Sequence, residues 1–143
     1  GSDVQYRFNN SIEIVRVASN GSVIYGSEID YYAGSTLILD TDQDVTIDLS
    51  ESTFENISVI DASNGSGADR FIYDSGNVTI QNGDSTDVID LSNYSFDEVS
   101  TQFTSSGLIL TMENSSLNVE GTSLTSFHFA DGARTADFTN QTF

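Results

Sequence analysis

An apolar residue recurs at a strict nine-residue spacing in the middle of this chain, at Phe71, Ile80 and Ile89. The segments around the first and third of these share one layout, NGSGADRFI at residues 64–72 and NGDSTDVID at residues 82–90. In both, a turn rich in small residues leads to an Asp and then to the apolar residue. A repeat of this length is typical of repeat proteins, in which each unit is stacked against the next.

Each unit is long enough for a short strand and the turn that follows it. Two units then complete one coil, so residues eighteen apart in the sequence, such as Asp69 and Asp87, lie on the same side. Glycine permits the positive φ values of a tight turn and leaves backbone carbonyls accessible. Ca²⁺ takes about 6–8 oxygen ligands, and two such turns can supply most of them. The pattern therefore predicts an all-β fold with a calcium site between successive turns.

These units resemble the nonapeptides of the repeats-in-toxin (RTX) family of secreted bacterial proteins, which read glycine-glycine-x-glycine-x-aspartate-x-apolar-x. The resemblance implies a right-handed parallel β-roll, or β-solenoid, with at most one good calcium site, between the loops that carry Asp69 and Asp87. The middle unit has Val78 in the aspartate place, so the opposite side of the coil, residues 74–78, is expected to hold no ion. The implied ligands are Asn64, Gly65, Gly67, Asp69, Asn82, Gly83, Ser85 and Asp87.

The resemblance extends over about residues 55–135. GLILTM and LNVEG look like the antiparallel hairpin that follows such a roll, and FHFADG looks like its closing turn. The expected organisation is a cloning remnant at residues 1–2, N-terminal β strands at 3–54, the repeats at 55–92 and a terminal β-hairpin cap at 93–143. The strands of residues 3–54 either continue the coil or form a separate small β piece.

The charge balance is strongly acidic, with 22 acidic and 4 basic residues and a formal net charge of −18. Nucleic-acid binding needs positive charge, so we expect neither a nucleic-acid partner nor, without a long apolar run, membrane insertion. Bound cations would relieve the self-repulsion of the chain, although acidity also keeps a secreted protein soluble. There is no cysteine and one histidine, so Ca²⁺ is the expected metal and a secreted or cell-surface protein is expected.

Residues 40–51, DTDQDVTIDLSE, place Asp40, Asp42 and Asp44 at the first, third and fifth positions of an EF-hand loop. Val45 stands where that loop needs glycine for its sharp turn, and the flanking residues have strand patterns. The preferred interpretation is an acidic turn that enters a strand. Cation contact by the three aspartates stays open as an alternative.

Alternating apolar residues predict a hairpin between residues 12–17 and residues 23–25. A short helix is predicted at residues 95–103, where apolar residues have helical spacing. His128, between two phenylalanines of an alternating segment, is expected at the surface or packed in the hairpin. Tyr31 and Tyr32 can stack on sugar rings, but such amphipathic side chains more often cover the edge of a core. Asn-x-Ser/Thr tripeptides recur, and in a chain rich in these residues chance readily produces them.

Three functions fit these observations. The first is a non-catalytic, calcium-stabilised module of a large secreted surface protein, either an adhesin or an S-layer protein. The second is the calcium-binding C-terminal domain of an enzyme exported by type I secretion. The third is a carbohydrate-binding module that uses Tyr31 and Tyr32. The first is preferred because the chain has few catalytic parts, and its outer partner would be a cell-surface glycan or a neighbouring copy of the parent protein.

Overall fold

The computed structural model describes residues 4–9, 14–17, 23–24, 35–38, 44, 46–50, 57–62 and 67–143, and these residues form β-strands, turns and one 3-10 turn at Phe96–Glu98. The strands are β1 (Val4–Asn9), β2 (Ile14–Val17), β3 (Val23–Ile24), β4 (Ser35–Ile38), β5 (Thr46–Asp48), β6 (Ile57–Asp61), β7 (Arg70–Ile72), β8 (Asn77–Gln81), β9 (Val88–Leu91), β10 (Ser100–Thr104), β11 (Gly107–Met112), β12 (Ser115–Glu120), β13 (Ser126–Phe129) and β14 (Gly132–Thr135). No α-helix occurs in the described ranges.

The strands form two open sheets. One has nine strands in the order β10-β11-β12-β8-β6-β4-β1-β2-β3, and the other has five in the order β14-β13-β9-β7-β5. Both sheets mix parallel and antiparallel pairs. The prediction of an all-β fold is confirmed.

From β4 to β9, successive strands alternate between the two sheets. Within the sheets, β4, β6, β8 and β12 pair in parallel, and so do β5, β7, β9 and β13. Phe71 on β7 pairs directly with Ile89 on β9, whereas Ile80 on β8 lies in the other sheet. All three side chains are 0% exposed. The prediction that these three residues face inward is thus confirmed. Nine residues take the chain to the other sheet, and eighteen return it to the same one.

Two rows of inward side chains form the centre of the core. One row crosses the five-stranded sheet, and its members are Ile47, Phe71, Ile89 and Phe127. The other crosses the nine-stranded sheet, and its members are Leu37, Ile60, Ile80 and Val119. Complete burial of such a side chain contributes roughly 1.5–3 kcal/mol, so these rows hold the strands in register and fix the turns at their ends.

The C-terminal hairpins form as predicted, and two of their strands also extend the parallel pairs. β11 pairs antiparallel with β12, and the turn at Ala130 and Asp131 joins β13 to β14. In addition, β12 pairs in parallel with β8, and β13 pairs in parallel with β9. Residues 93–143 therefore supply strands to both sheets.

The helix predicted at residues 95–103 is wrong. Only Phe96–Glu98 form a 3-10 turn, which a capping box between Ser95 and Glu98 closes at its start. The chain is already extended at Val99, and β10 then pairs with β11. The rings of Phe96 and Phe103 both pack on Phe143, with centroids 5.4 and 5.6 Å away. Aromatic packing and strand pairing together outweigh the local helical spacing.

At the N-terminal end, β2 and β3 form the predicted hairpin. β1 pairs antiparallel with β2 on one side and with β4 on the other. Because β4 pairs with β6, these early strands lie in the same sheet as β8, the middle strand of the repeat. For residues 46–48, the strand interpretation of the acidic segment is confirmed, and Ile47 is its inward residue.

Candidate metal site

The two repeat aspartates lie at equivalent places, immediately before β7 and β9. Because Arg70 pairs with Val88, the preceding residues Asp69 and Asp87 follow one another across the sheet. Both are buried, with 7% and 2% of their surface exposed. Burial of an ionised carboxylate is costly unless hydrogen bonds or an opposite charge compensate for it.

Backbone amides from two turns partly compensate for the burial of the Asp87 carboxylate. The Asp69 amide donates to Oδ1 of Asp87 over 2.8 Å, and the Asp84 amide donates to Oδ2 over 2.9 Å. Burial still raises the pKa of Asp87, which these hydrogen bonds only partly offset. A carboxylate has about four acceptor positions, of which these two bonds use two. A cation at the free positions would favour the ionised form.

The turn before Asp87 shows why the first glycine place of the repeat accepts asparagine. Asn82 has φ of 61°, in the left-handed region that Asn tolerates better than most residues. Gly83 is closely packed, since a Cβ there would lie 2.5 Å from Cδ1 and 3.2 Å from Cβ of Leu124. Ser85 is exposed at the tip of the turn.

Asp44 also reaches this group of turns. Its Oδ1 accepts a hydrogen bond of 2.8 Å from the amide of Ala68, next to Asp69. The structure thus places Asp44, Asp69 and Asp87 along successive turns, linked through backbone amides. No group of three or more Asp, Glu and His side chains suited to hold a metal occurs among the residues that the structure describes.

Several predicted ligands cannot be placed. Gly67 is buried at the turn that leads to Asp69. Asn64 and Gly65, on the same turn, lie outside the described residues, as do Asp40 and Asp42. The proposed sugar-stacking residues Tyr31 and Tyr32 also lie outside them. The calcium site therefore stays a prediction.

An ionic group that the sequence patterns did not predict lies on the outer face of the five-stranded sheet. Asp90 is buried and pairs with Arg70, whose Nε donates to Oδ2 over 3.1 Å. Its Oδ1 accepts bonds from both the amide and the hydroxyl of Ser92. Burial raises the pKa of Asp90, but the bonds from Ser92 and Arg70 outweigh it and the pKa lies below its usual value.

A short sequence repeat contains Asp90 and Ser92 of this ionic group. The tetrapeptide IDLS occurs at residues 47–50 and again at residues 89–92. Asp48 accepts from the amide and hydroxyl of Ser50, at 3.0 and 2.6 Å, as Asp90 does from Ser92. Such Asp-x-Ser turns hydrogen-bond their own backbone, so the tetrapeptide ends a strand at both places.

The carboxylates of Asp87 and Asp90 do not point into a shared site. Asp87 accepts from the Asp69 amide, whereas Asp90 pairs with the Arg70 side chain on the outer face. His128 lies on that outer face too, as the direct strand partner of Asp90, and is half-buried. The geometry of these residues fits structural roles.

The turns at the other end of the strands bind protein groups. Asp74, which follows β7, accepts a bond of 2.9 Å from the side-chain amide of Asn93. The hydroxyl of Tyr73 donates to the carbonyl of Gly76, and the hydroxyl of Tyr94 donates to the carbonyl of Asp74. Side-chain hydrogen bonds thus hold these turns together.

Among the described residues, no helix has the length and apolar character needed to cross a membrane. Comparison of the chain with protein-family models, with curated proteins and with solved structures finds no match. The resemblance to RTX repeats therefore rests on the residues of the repeat alone.

Proposed function

We propose that this chain is a non-catalytic, calcium-stabilised β-roll module of a large secreted bacterial surface protein, of the adhesin or S-layer type. Its role is structural. Ca²⁺ joins adjacent turns of the coil, and the outer faces are available to a cell-surface glycan or to a neighbouring copy of the parent protein.

The equivalent burial of Asp69 and Asp87, immediately before two adjacent parallel strands, is the observation that supports this proposal most. A carboxylate whose pKa is raised by burial is at a disadvantage in its ionised form. Asp87 is in that state with two amide donors already in place. A divalent cation between the turns would remove the disadvantage, and it would also reduce the repulsion within a chain of net charge −18.

The alternation of strands between two sheets supports the β-roll. Each passage from β6 to β9 takes the chain from one sheet to the other, and strands of the same sheet pair in parallel. The aspartates precede strands of the five-stranded sheet only. Cations bound there would therefore lie along one side of the coil.

Thermal unfolding in calcium and in chelator tests the proposal. A ligand that binds only the folded state adds RT ln(1 + [L]/Kd) to stability. Extracellular calcium sites have Kd values of roughly 10⁻⁴–10⁻³ M, so about 10 mM Ca²⁺ should add about 1.4–2.7 kcal/mol and raise Tm by several degrees. Mg²⁺ at equal concentration is the control for charge screening. Identical melting curves in Ca²⁺, Mg²⁺ and EDTA would reject the calcium site.

A further inference from the structure

Most asparagines of this chain begin an Asn-x-Ser/Thr tripeptide. Ser and Thr make up 36 of the 143 residues, so composition alone would place one of them two positions after about three of the eleven asparagines. The observed number is eight, so the expectation that composition alone accounts for these tripeptides is wrong. This tripeptide, without Pro at its centre, is the acceptor sequence for N-glycosylation. The eight are Asn9, Asn20, Asn56, Asn64, Asn77, Asn93, Asn114 and Asn140.

The structure places four of these asparagines at exposed positions, and three of the four lie close together. The fourth, Asn140, lies in the C-terminal turn, where its side-chain nitrogen donates to Oδ2 of Asp137 over 2.7 Å. Asn77 begins β8, Asn93 lies in the turn after β9, and Asn114 lies in the turn between β11 and β12. All three are exposed. Asn118, which lies inside β12 and is half-buried, has Glu120 two positions later instead of a hydroxyl residue.

These three asparagines lie on one side of the molecule. The side-chain amide of Asn93 donates to Asp74 over 2.9 Å, which brings the turn after β9 against the turn after β7. That second turn leads directly to Asn77. The hydroxyl of Ser116 donates to Oδ1 of Asn77 over 3.2 Å, so the turn that carries Asn114 lies beside the start of β8.

This side is opposite the candidate metal site. Asp69 precedes β7 and Asp74 follows it. These two residues are five positions apart, which corresponds to roughly 16 Å along an extended strand. Sugars on the Asp74 side would therefore leave the turns of Asp69 and Asp87 accessible to cations.

We propose that Asn77, Asn93 and Asn114 are N-glycosylation sites that form a sugar-bearing side of this module. This inference rests on the secreted or cell-surface location in the proposed function. The donor is an oligosaccharide activated on a lipid diphosphate. Nδ2 of the asparagine forms a bond to the anomeric carbon, the bond from that carbon to the diphosphate oxygen breaks, and a base of the transferase takes one Nδ2 proton. The lipid diphosphate leaves, and no oxidation or reduction occurs.

The hydrogen bonds of the three side chains predict an order of occupancy. Asn114 is exposed, and among the described residues no group forms a hydrogen bond with its side chain. Asn77 uses its oxygen, as acceptor from Ser116, and keeps its nitrogen available. Asn93 must first release Asp74. The expected order is Asn114, then Asn77, then Asn93.

Adjacent serines of the Asn114 tripeptide provide a matched pair of variants. Ser116→Ala removes the hydroxyl that the acceptor sequence needs, whereas Ser115→Ala changes its central position and leaves it intact. Likewise, Thr79→Val removes the acceptor sequence of Asn77 and Thr79→Ser keeps it. The whole chain is produced with a secretion signal in a host that N-glycosylates, and sugar occupancy is measured by peptide mass mapping. Ser116→Ala should lose the sugar at Asn114 only, and Ser115→Ala should keep it.

The protein isolated from its natural producer gives the deciding result. Sugars on Asn114, Asn77 and Asn93, with Asn118 bare, would establish the proposal, and any of the three found bare would be removed from it. A surface-located protein with all three asparagines bare would overturn it, and so would a bare chain from the glycosylating host beside a normally modified secreted control. A protein found only inside the cell would overturn the surface location, and this inference with it. Failure of the calcium test alone would leave the glycosylation sites standing.

Discussion

The backbone amide of Asp69 donates a 2.8 Å hydrogen bond to the carboxylate of Asp87, eighteen residues later in the sequence. The bond joins two successive turns at the point where their strands begin. Asp87 thus links two turns by a hydrogen bond, and burial raises the pKa of its carboxylate. A bound cation would strengthen the same junction, so structural and metal-binding roles of Asp87 are compatible.

Asp87→Ala should lower stability even without calcium. It leaves the amides of Asp69 and Asp84 without their acceptor, and a buried unsatisfied donor costs about 1–3 kcal/mol. The variant should also lose most of the calcium-induced rise in Tm. Urea unfolding in EDTA and thermal unfolding during a calcium titration measure the two effects.

Asp97→Ala is the matched control for Asp87→Ala, because it removes the same charge from an exposed position in the 3-10 turn. It should retain the calcium response. If both variants lost the response equally, calcium would be acting through the overall charge of the chain and not through a site.

Arg70→Gln should destabilise the protein at neutral pH by about 1–3 kcal/mol, since it removes charged hydrogen bonds to a buried carboxylate. The pKa of Asp90 is lowered in the folded state. Its contribution is therefore present above the unfolded value of about 3.9 and is lost as pH falls through the folded value. The difference between wild type and variant should shrink in acid, as measured by urea unfolding from pH 7 to pH 3.

Arg134→Gln provides the comparison for Arg70→Gln. Arg134 lies over the ring of Phe96, 3.9 Å from its centroid, and an exposed interaction of this kind contributes roughly 0.5–1 kcal/mol. Arg134 also forms an exposed ion pair with Asp131 at 4.0 Å. Exposed pairs of this kind contribute at most about 1 kcal/mol, so the effect of Arg134→Gln should change less with pH than that of Arg70→Gln. An Arg70→Gln effect that changes no more with pH would show that Asp90 is not its cause.

Ile80→Ala should cost roughly 2–5 kcal/mol, the usual range for truncation of a large core residue. Ile80 is fully buried between its strand partners Ile60 and Val119. Thr79→Ala, on the outward side of the same strand, should change stability by only about 0.5 kcal/mol. Chemical denaturation of unglycosylated protein compares them, and equal effects would refute the inward row.

Gly83→Ala should destabilise the fold by about 1–3 kcal/mol through overpacking, because the new methyl group would lie 2.5 Å from Cδ1 of Leu124. In a Leu124→Ala background the same change should cost much less. A double-mutant cycle measured by urea unfolding tests this coupling. Additive effects would show that the glycine is not required by contact with Leu124.

The local sequence determined those features that depend only on residues close together in the chain. The spacing of Phe71, Ile80 and Ile89 predicted which side chains face inward, because a regular repeat leaves one residue of each unit for the core. The IDLS tetrapeptides contain both the aspartate and the serine of the turns that end two strands. The C-terminal hairpins were predictable because their strands are adjacent in sequence.

Only the tertiary structure decided the features that depend on distant partners. Residues 95–103 have helical spacing, yet the rings of Phe96 and Phe103 pack on Phe143, and β10 extends the edge of a sheet. The local sequence predicts that β12 pairs with its hairpin partner β11, but β12 also pairs with the distant strand β8. One of the two amide partners of Asp87 is eighteen residues away, and its position is fixed by the register of β7 against β9. Sequence patterns determine local geometry, whereas strand pairing is chosen by the free energy of the whole core.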